Sequence, residues 1–534
     1  MLRTPLPSLR LTSLLAAACL AAACASPSLP PVDTAPVAKA DPGSALAEGW
    51  QHGAFVEVFV RAYQDSDGDG IGDLKGLTQR LDYLKDLGVK GIWLMPITQS
   101  ADHDHGYAVN DFRKVERAYG SLADFDELLE QAHARGIGVI MDYVINHSAQ
   151  SSPLFVHARG FKDSPWRPWF VWQDTMPTGW DIWGKNPWFW TETGTYFGTF
   201  GPHMPDFNLR HEPAMAYHLD SIRFWLNRGL DGFRFDAIPH LIENNAKDWN
   251  DQPESYAAMQ RIGDVVRGYR NRFIVCEATA SPVKWGAPQY CGSAFAFGLE
   301  HHIAPAARGE RESIEKVAKW FTEVPLTMAT MASNHDIFAG QRLWDQVQGN
   351  VAQYKLAAAT YLLLPGTPFI YYGEEVGMAG GKDLEGDFQL RTPMSWTADD
   401  KTAGFTTGAP FRALSRNVTT HNVAAQQADP QSILNFYKAM LKLRNSLPSI
   451  ARGSYEHPFV DGLVMGYQRK LGAEHTVVVI NYGTQAASTR VAALPAAARL
   501  RSAYPAGLQA DADANGQAML SLPPQSVQVY TVSR

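Results

Sequence analysis

The chain has 534 residues, a formal net charge of -7 and a pI near 6.1. Binding to a phosphate backbone needs a basic surface, so a nucleic-acid partner is excluded. Hydrophobic residues make up 45%, including 15 Trp, 20 Tyr and 25 Phe; this suits one large catalytic domain plus an accessory one and ligands with flat, weakly charged faces such as sugar rings.

The N-terminus reads as an export signal over residues 1–24. Arg3 and Arg10 supply the positive region, residues 11–23 the apolar region, and small residues precede Cys24. The run is too short to span a bilayer in the mature protein. The chain is therefore expected outside the cytoplasm of a bacterial cell, as a periplasmic, outer-membrane or extracellular protein. Ala21-Ala22-Ala23-Cys24 resembles a lipoprotein cleavage box, which makes a lipid on Cys24 the one expected membrane contact. The usual Leu three residues before the Cys is missing, Leu20 standing four before. Ordinary cleavage after an Ala-x-Ala site is the alternative. Residues 25–48, rich in Pro and Ala, read as a flexible tether.

Strands and helices then alternate. Residues 55–60 (FVEVFV), 91–95 (GIWLM) and 137–144 (IGVIMDYV) read as strands, and 77–87 and 125–135 as helices. Further strands are expected at 232–237, 273–278, 293–297, 327–332 and 368–372. Eight strands in order with helical spacers predict an α/β fold, a (β/α)₈ or TIM barrel, over residues 49–147 and 211–452. Residues 148–210 form an insert after the third strand that is far longer than an ordinary connection. It holds Trp166, Trp169, Trp172, Trp180, Trp183, Trp188 and Trp190; most are expected in its own aromatic core, with one or two left to stack a sugar. From residue 453 to 534 the pattern changes to short alternating strands, an antiparallel β-sandwich domain.

The stretch Gly232 to His240 organises the rest. On a strand Gly232, Arg234 and Asp236 share one face. The Arg234 guanidinium is expected to hold Asp236 ionised; a nucleophile and a purely structural ion pair fit that pattern equally. Polar residues also end other strands: Asp142 to His147 on the third, Glu277 on the fifth, and Asn334-His335-Asp336 on the seventh. In such a barrel this end carries the catalytic site. Three carboxylates with His and Arg donors at one rim are not a chance set. Of the 4 Cys, only Cys276 and Cys291 lie beyond the signal region. Export permits a disulfide between them, and two buried thiols fit equally.

DYVINH, GFRFDAIPH, the Glu277 strand and SNHD resemble, in order, the four conserved regions of the α-amylase family, glycoside hydrolase family 13. The likeness runs from about residue 55 to the end of the chain. It implies a retaining mechanism with two carboxyl groups about 5–5.5 Å apart. By resemblance Asp236 is the nucleophile, Glu277 the acid/base with a raised pKa, and Asp336 the third carboxylate, which favours the distorted transition state. His147 and His335 resemble donors to the same ring, with Asn334 and His240 among the substrate contacts and Arg234 tuning Asp236. Tyr107 resembles the platform under that ring, a core tyrosine being the alternative. Met204 to Asn208 and Arg391 to Trp396 resemble stretches of members between the oligo-1,6-glucosidases and the neopullulanases, which adds Arg391 to the contacts.

Ala237 after the nucleophile resembles α-1,4-acting members, whereas Pro239 stands where a sugar-binding Lys is usual. Endo-cleavage of starch by an α-amylase is the favoured expectation. An α-glucosidase, neopullulanase-like or glucanotransferase activity on maltooligosaccharides is the alternative. A barrel without catalysis is disfavoured because all three carboxylates are present. Asp65, Asp67, Asp69 and Asp73 with the Ile71 carbonyl alternate oxygens around glycines, as a structural Ca²⁺ requires; a solvated acidic turn is the alternative. A monomer is expected.

Overall fold

The computed structural model describes Met1 and residues 32–533. The export signal, Cys24 and the first part of the tether lie outside the described residues. Among those described, no helix is long and apolar enough to cross a membrane.

The barrel is built on Phe55–Val58, Gly91–Leu94, Gly138–Tyr143, Gly232–Phe235, Phe273–Cys276 and Phe369–Tyr371. All pair in parallel: the first five lie side by side in chain order, and the last pairs with the first. Two of the expected strands, 293–297 and 327–332, are reduced to single parallel bridges: Cys276 with Ala294, Phe295 with Ala329, and Thr330 with Pro368. These bridges still close the ring at eight positions.

Phe55, Trp93, Ile140, Val275, Phe295 and Phe369 point inward and fill the barrel floor. A side-chain-filled interior is what a barrel of this size demands. Gly232 is required here: its φ is +151°, and a Cβ would lie 1.8 Å from the Phe273 carbonyl oxygen of the next strand.

The outer helices bury one apolar stripe each. Leu122–Ala134 begins with a capping box, Ser121 and Asp124 bonding each other's backbone N–H, and buries Phe125, Leu128, Leu129 and Ala132. That spacing of three and four residues is the face of an amphipathic helix. The helix expected over 77–87 is two helices, Leu74–Gln79 and Leu81–Leu87, broken at Arg80.

The segment after the third strand carries a three-stranded antiparallel sheet, Trp172–Gln173, Trp188–Thr191 and Gly194–Phe197. Trp188 packs with Ile182, Phe197 and the half-buried Trp180, so these side chains form a local core. Trp183 is 61% exposed. At the C-terminus a six-stranded antiparallel sheet, from Glu456–Asp461 to Ser526–Ser533, packs on a two-stranded one, Ala487–Val491 with Ala518–Leu522. Cys276 and Cys291 are joined by a disulfide, which ties the end of the fifth barrel strand to the loop that follows it.

Candidate active site

Strand register assembles the centre of the site. Arg234 on the fourth strand lies beside Asp142 on the third, and parallel neighbours in register point the same way. Arg234 Nη1 donates to Asp142 Oδ1 at 2.8 Å and to Asp236 Oδ1 at 2.6 Å, and Nη2 lies 2.9 Å from Glu277 Oε2. One buried guanidinium therefore binds three carboxylates, using the fork geometry that only arginine offers. Glu277 Oε2 also accepts the Ala237 N–H at 3.0 Å. Ala237 has φ +49°, a left-handed conformation that an alanine adopts only under constraint. That kink directly after Asp236 aims the N–H at Glu277.

The electrostatics correct one expectation. Burial, against the pull of Arg234 and with Glu277 and Asp142 adding, pushes the Asp236 carboxyl well above the usual carboxylate range. Burial likewise raises Asp142. Burial thus outweighs the single guanidinium for both Asp236 and Asp142, and protons on such crowded groups are shared between them.

A second chain of contacts orients Asp336. His335 Nδ1 meets Glu57 Oε1 at 2.5 Å, and its Nε2 lies 2.7 Å from Tyr107 Oη and 3.2 Å from Asp336 Oδ2. Tyr107 stacks on the His335 ring, 5.4 Å between centroids, and donates to Asp142 at 3.0 Å. Arg391 donates to Asp336 Oδ1 at 2.8 Å and to the His335 carbonyl at 3.0 Å. Burial opposes a charge on His335, but Asp336 and Glu57 outweigh it and push the imidazole up to about 10. Burial also works against the Asp336 charge, and His335 and Arg391 reverse it, holding that carboxyl below its usual range.

The sign of the linkage for His335 follows. Its folded pKa exceeds the unfolded value of about 6.5, so its contribution to stability is complete below pH ~6.5 and disappears as pH rises towards 10. Urea unfolding is expected to show stability falling more steeply over that window in the parent than in His335→Gln.

Above these groups lies a cavity of about 630 Å³. Asp236, Glu277 and Asp336 line it, with Tyr107, His147, His240 and Arg391 from the expected contacts. The other three sit behind the wall. Arg234 and His335 are buried beneath it. Asn334 is also buried, and its Oδ1 accepts the Asp336 N–H at 2.8 Å, which shapes the turn that presents Asp336. His147 is brought down to about 3 and His240 to about 4 by burial, so both are neutral rings.

Sequence reasoning did not assign Glu57, His105, Trp183, Phe200, Phe338 or Asp387. Glu57 had a signal, as the one acid in an apolar strand. The others stand on loops or, for Phe338 and Asp387, in short 3₁₀ helices, where no periodicity marks them. Trp183 joins Phe200, His240 and Trp249 in an aromatic wall, with His240 stacked on Trp249 at 5.3 Å.

At the acidic loop, ligand oxygens of Asp65, Asp67 and Asp73 lie within 4.8 Å of one another. This all-oxygen set suits a hard cation. Asp69 stands apart from that group; its Oδ1 accepts the Ile71 N–H at 2.8 Å. Gly70 N–H and Thr406 both donate to Asp65 Oδ2, fastening the loop to the segment around residue 406.

The described geometry can be set beside known proteins. Residues 57–453 match the model of the alpha amylase catalytic domain. Alpha-amylase 3 of Dictyoglomus thermophilum is 33% identical over 448 residues, 81% of this chain and 85% of that protein. The trehalose synthase/amylase of Mycobacterium tuberculosis is 33% identical over 493 residues, 81% of each chain. An oligo-1,6-glucosidase of Heyndrickxia coagulans is 30% identical over 518 residues, 82% and 92%. Among solved structures, the trehalulose synthase of Pseudomonas mesoacidophila superposes with a TM-score of 0.79 at 26% identity, covering 91% of this chain and all of the other. On the family match and the shared barrel, this chain belongs to the α-amylase family, glycoside hydrolase family 13.

Proposed function

We propose that this enzyme is an α-glucosidase-type member of the family, releasing or transferring single glucosyl units from the ends of short α-1,4-linked glucans. In the first step Asp236 attacks the anomeric carbon while Glu277 gives its proton to the departing glycosidic oxygen. In the second, Glu277 takes a proton from water, or from an acceptor hydroxyl, and the new oxygen displaces Asp236 with overall retention. Asp336, held by Arg391 and His335, carries the negative charge that favours the oxocarbenium-like transition state.

The observation that carries exo-action is an ion pair. Asp104 Oδ1 and Arg412 Nη2 lie 2.7 Å apart, and Arg412 Nη1 donates to the Arg391 carbonyl at 3.0 Å. This ties the loop after the second strand to the segment beyond the eighth. Its bond to the Arg391 carbonyl sets it behind the Asp336–Arg391 side of the cavity. Since the acid marks where the leaving group departs, the pair closes the end beyond the bound glucosyl ring. A blind end accepts one terminal unit, which disfavours endo-cleavage of starch. The relative named as an oligo-1,6-glucosidase supports the same choice.

A product time course on maltotriose and soluble starch tests it. Glucose as the first product, with maltotriose preferred, is expected; early mixed oligosaccharides from starch would overturn the proposal. In Asp104→Ala, where the bridge is broken, maltose is expected to appear among the first products, with activity on longer chains rising relative to maltotriose. Products longer than the maltotriose supplied would identify transfer as the main outcome.

We also propose a structural Ca²⁺ at Asp65, Asp67 and Asp73, with the Ile71 carbonyl in reach of the same loop. A bound ion at 100 times its Kd would add about 2.7 kcal/mol to stability. The Tm is expected to fall in EDTA, to recover with Ca²⁺ but not Mg²⁺, and to become insensitive to both in Asp67→Asn.

A further inference from the structure

The opposite end of the barrel holds a second cavity, of about 360 Å³, between the barrel floor and the C-terminal domain. Arg267, Arg272, Arg452, Arg469 and His52 line it, and among the described residues none of its lining side chains is acidic. Arg267 is neutralised by Asp264 at 2.8 Å. Arg272 Nη1 and Nη2 donate to the Arg270 and Gly43 carbonyls, and its carboxylates, Asp41 and Asp231, stand at 3.9 and 4.0 Å.

The remaining cations are less well matched. Arg469 donates to the carbonyls of Ser454 and Gly453, and Arg444 behind it donates to the carbonyls of His52, Leu362 and Leu364. Neither they nor Arg452 form an ion pair among the described residues. Arg469 Nη1 and Arg272 Nε are buried without a hydrogen-bond partner. Burial first, and the neighbouring Arg469 second, disfavour the charge on Arg444; burial and then Arg452 and Arg444 lower His52. Like charges gathered without counter-charge are unfavourable unless something negative joins them.

We infer that this cavity binds the oxyanion group of a small organic acid or phosphate ester, held by Arg452, Arg469 and Arg272. Arg452 offers a guanidinium fork that matches phosphate and carboxylate geometry, and the unpartnered Arg469 Nη1 and Arg272 Nε add one donor each. Phe273 and Leu326 give the cavity apolar walls, and its volume falls in the range of small-molecule sites, larger than a bare ion needs. Such a ligand joins Arg272 of the barrel to Arg469 of the C-terminal domain, so its binding stabilises the contact between them.

Calorimetry on the full chain at matched ionic strength tests this with glucose 6-phosphate, gluconate and inorganic phosphate. Saturable binding of glucose 6-phosphate or gluconate is expected, tighter than that of inorganic phosphate; which of the two binds distinguishes ester from carboxylate. Arg452→Gln is expected to weaken binding at least tenfold, and Thr327→Glu, which sets an acid on the exposed lip, to abolish it. Hydrolysis of maltotriose is expected to stay unchanged in both variants. No saturable binding, binding no tighter than that of inorganic phosphate, or equal affinity in both variants would overturn the inference.

Discussion

Asp236→Asn is expected to lower kcat on maltotriose by roughly 10⁴-fold or more, the scale seen when a covalent nucleophile is removed. The amide is nearly isosteric and still meets Arg234, so folding is retained and the loss is chemical. Glu277→Gln is expected to lose about 10²–10⁴-fold in kcat/KM on the same substrate, but much less in kcat/KM on a p-nitrophenyl α-glucoside. Its leaving group departs without a proton, so an acid catalyst is dispensable for the first step. The nucleophile variant is not rescued in this way. Comparable rates of Asp236→Asn and the parent, or equal losses of Glu277→Gln on both substrates, would reassign the two carboxylates.

Arg234 is the second test, because its removal strands three carboxylates at once. Arg234→Leu leaves Asp142, Asp236 and Glu277 buried with no cation between them. Breaking a buried ion pair by deleting one partner costs about 3–5 kcal/mol. The sign with pH follows from the carboxylates. Burial already raises Asp142 and Asp236, and losing the guanidinium raises them further. The folded state then prefers them protonated, so stability is kept at low pH and lost as pH rises through the raised values. Urea unfolding is expected to show a larger deficit at pH 8 than at pH 5, and any residual activity a shift of the acid limb to higher pH. Arg234→Lys restores one charge but cannot fork to Asp236 and Glu277 together, so stability recovers more than activity. A deficit independent of pH would mean that Arg234 acts by packing alone.

The chain's own pattern determined a great deal. Alternating strand and helix periods marked the parallel barrel, since a buried parallel sheet needs long apolar runs and crossover helices between them. Polar residues breaking those runs at Asp142, Asp236, Glu277 and Asp336 were legible as one rim, because in a barrel every strand delivers its C-terminal end to the same face. The brevity of the sixth and seventh strands was not legible, because single bridges leave the local alternation unchanged.

Only the tertiary structure decided which groups share a charge. Glu57 meets His335, 278 residues further along the chain, and Asp104 meets Arg412 across 308; no local spacing encodes such pairs. The same holds for the protonation of Asp236. Its neighbour Arg234 alone argues for a lowered pKa, and burial among Glu277 and Asp142 reverses the direction. Local pattern specifies which face of an element a side chain takes. The dielectric around it, and the charges that reach it from distant strands, exist only once the barrel has closed.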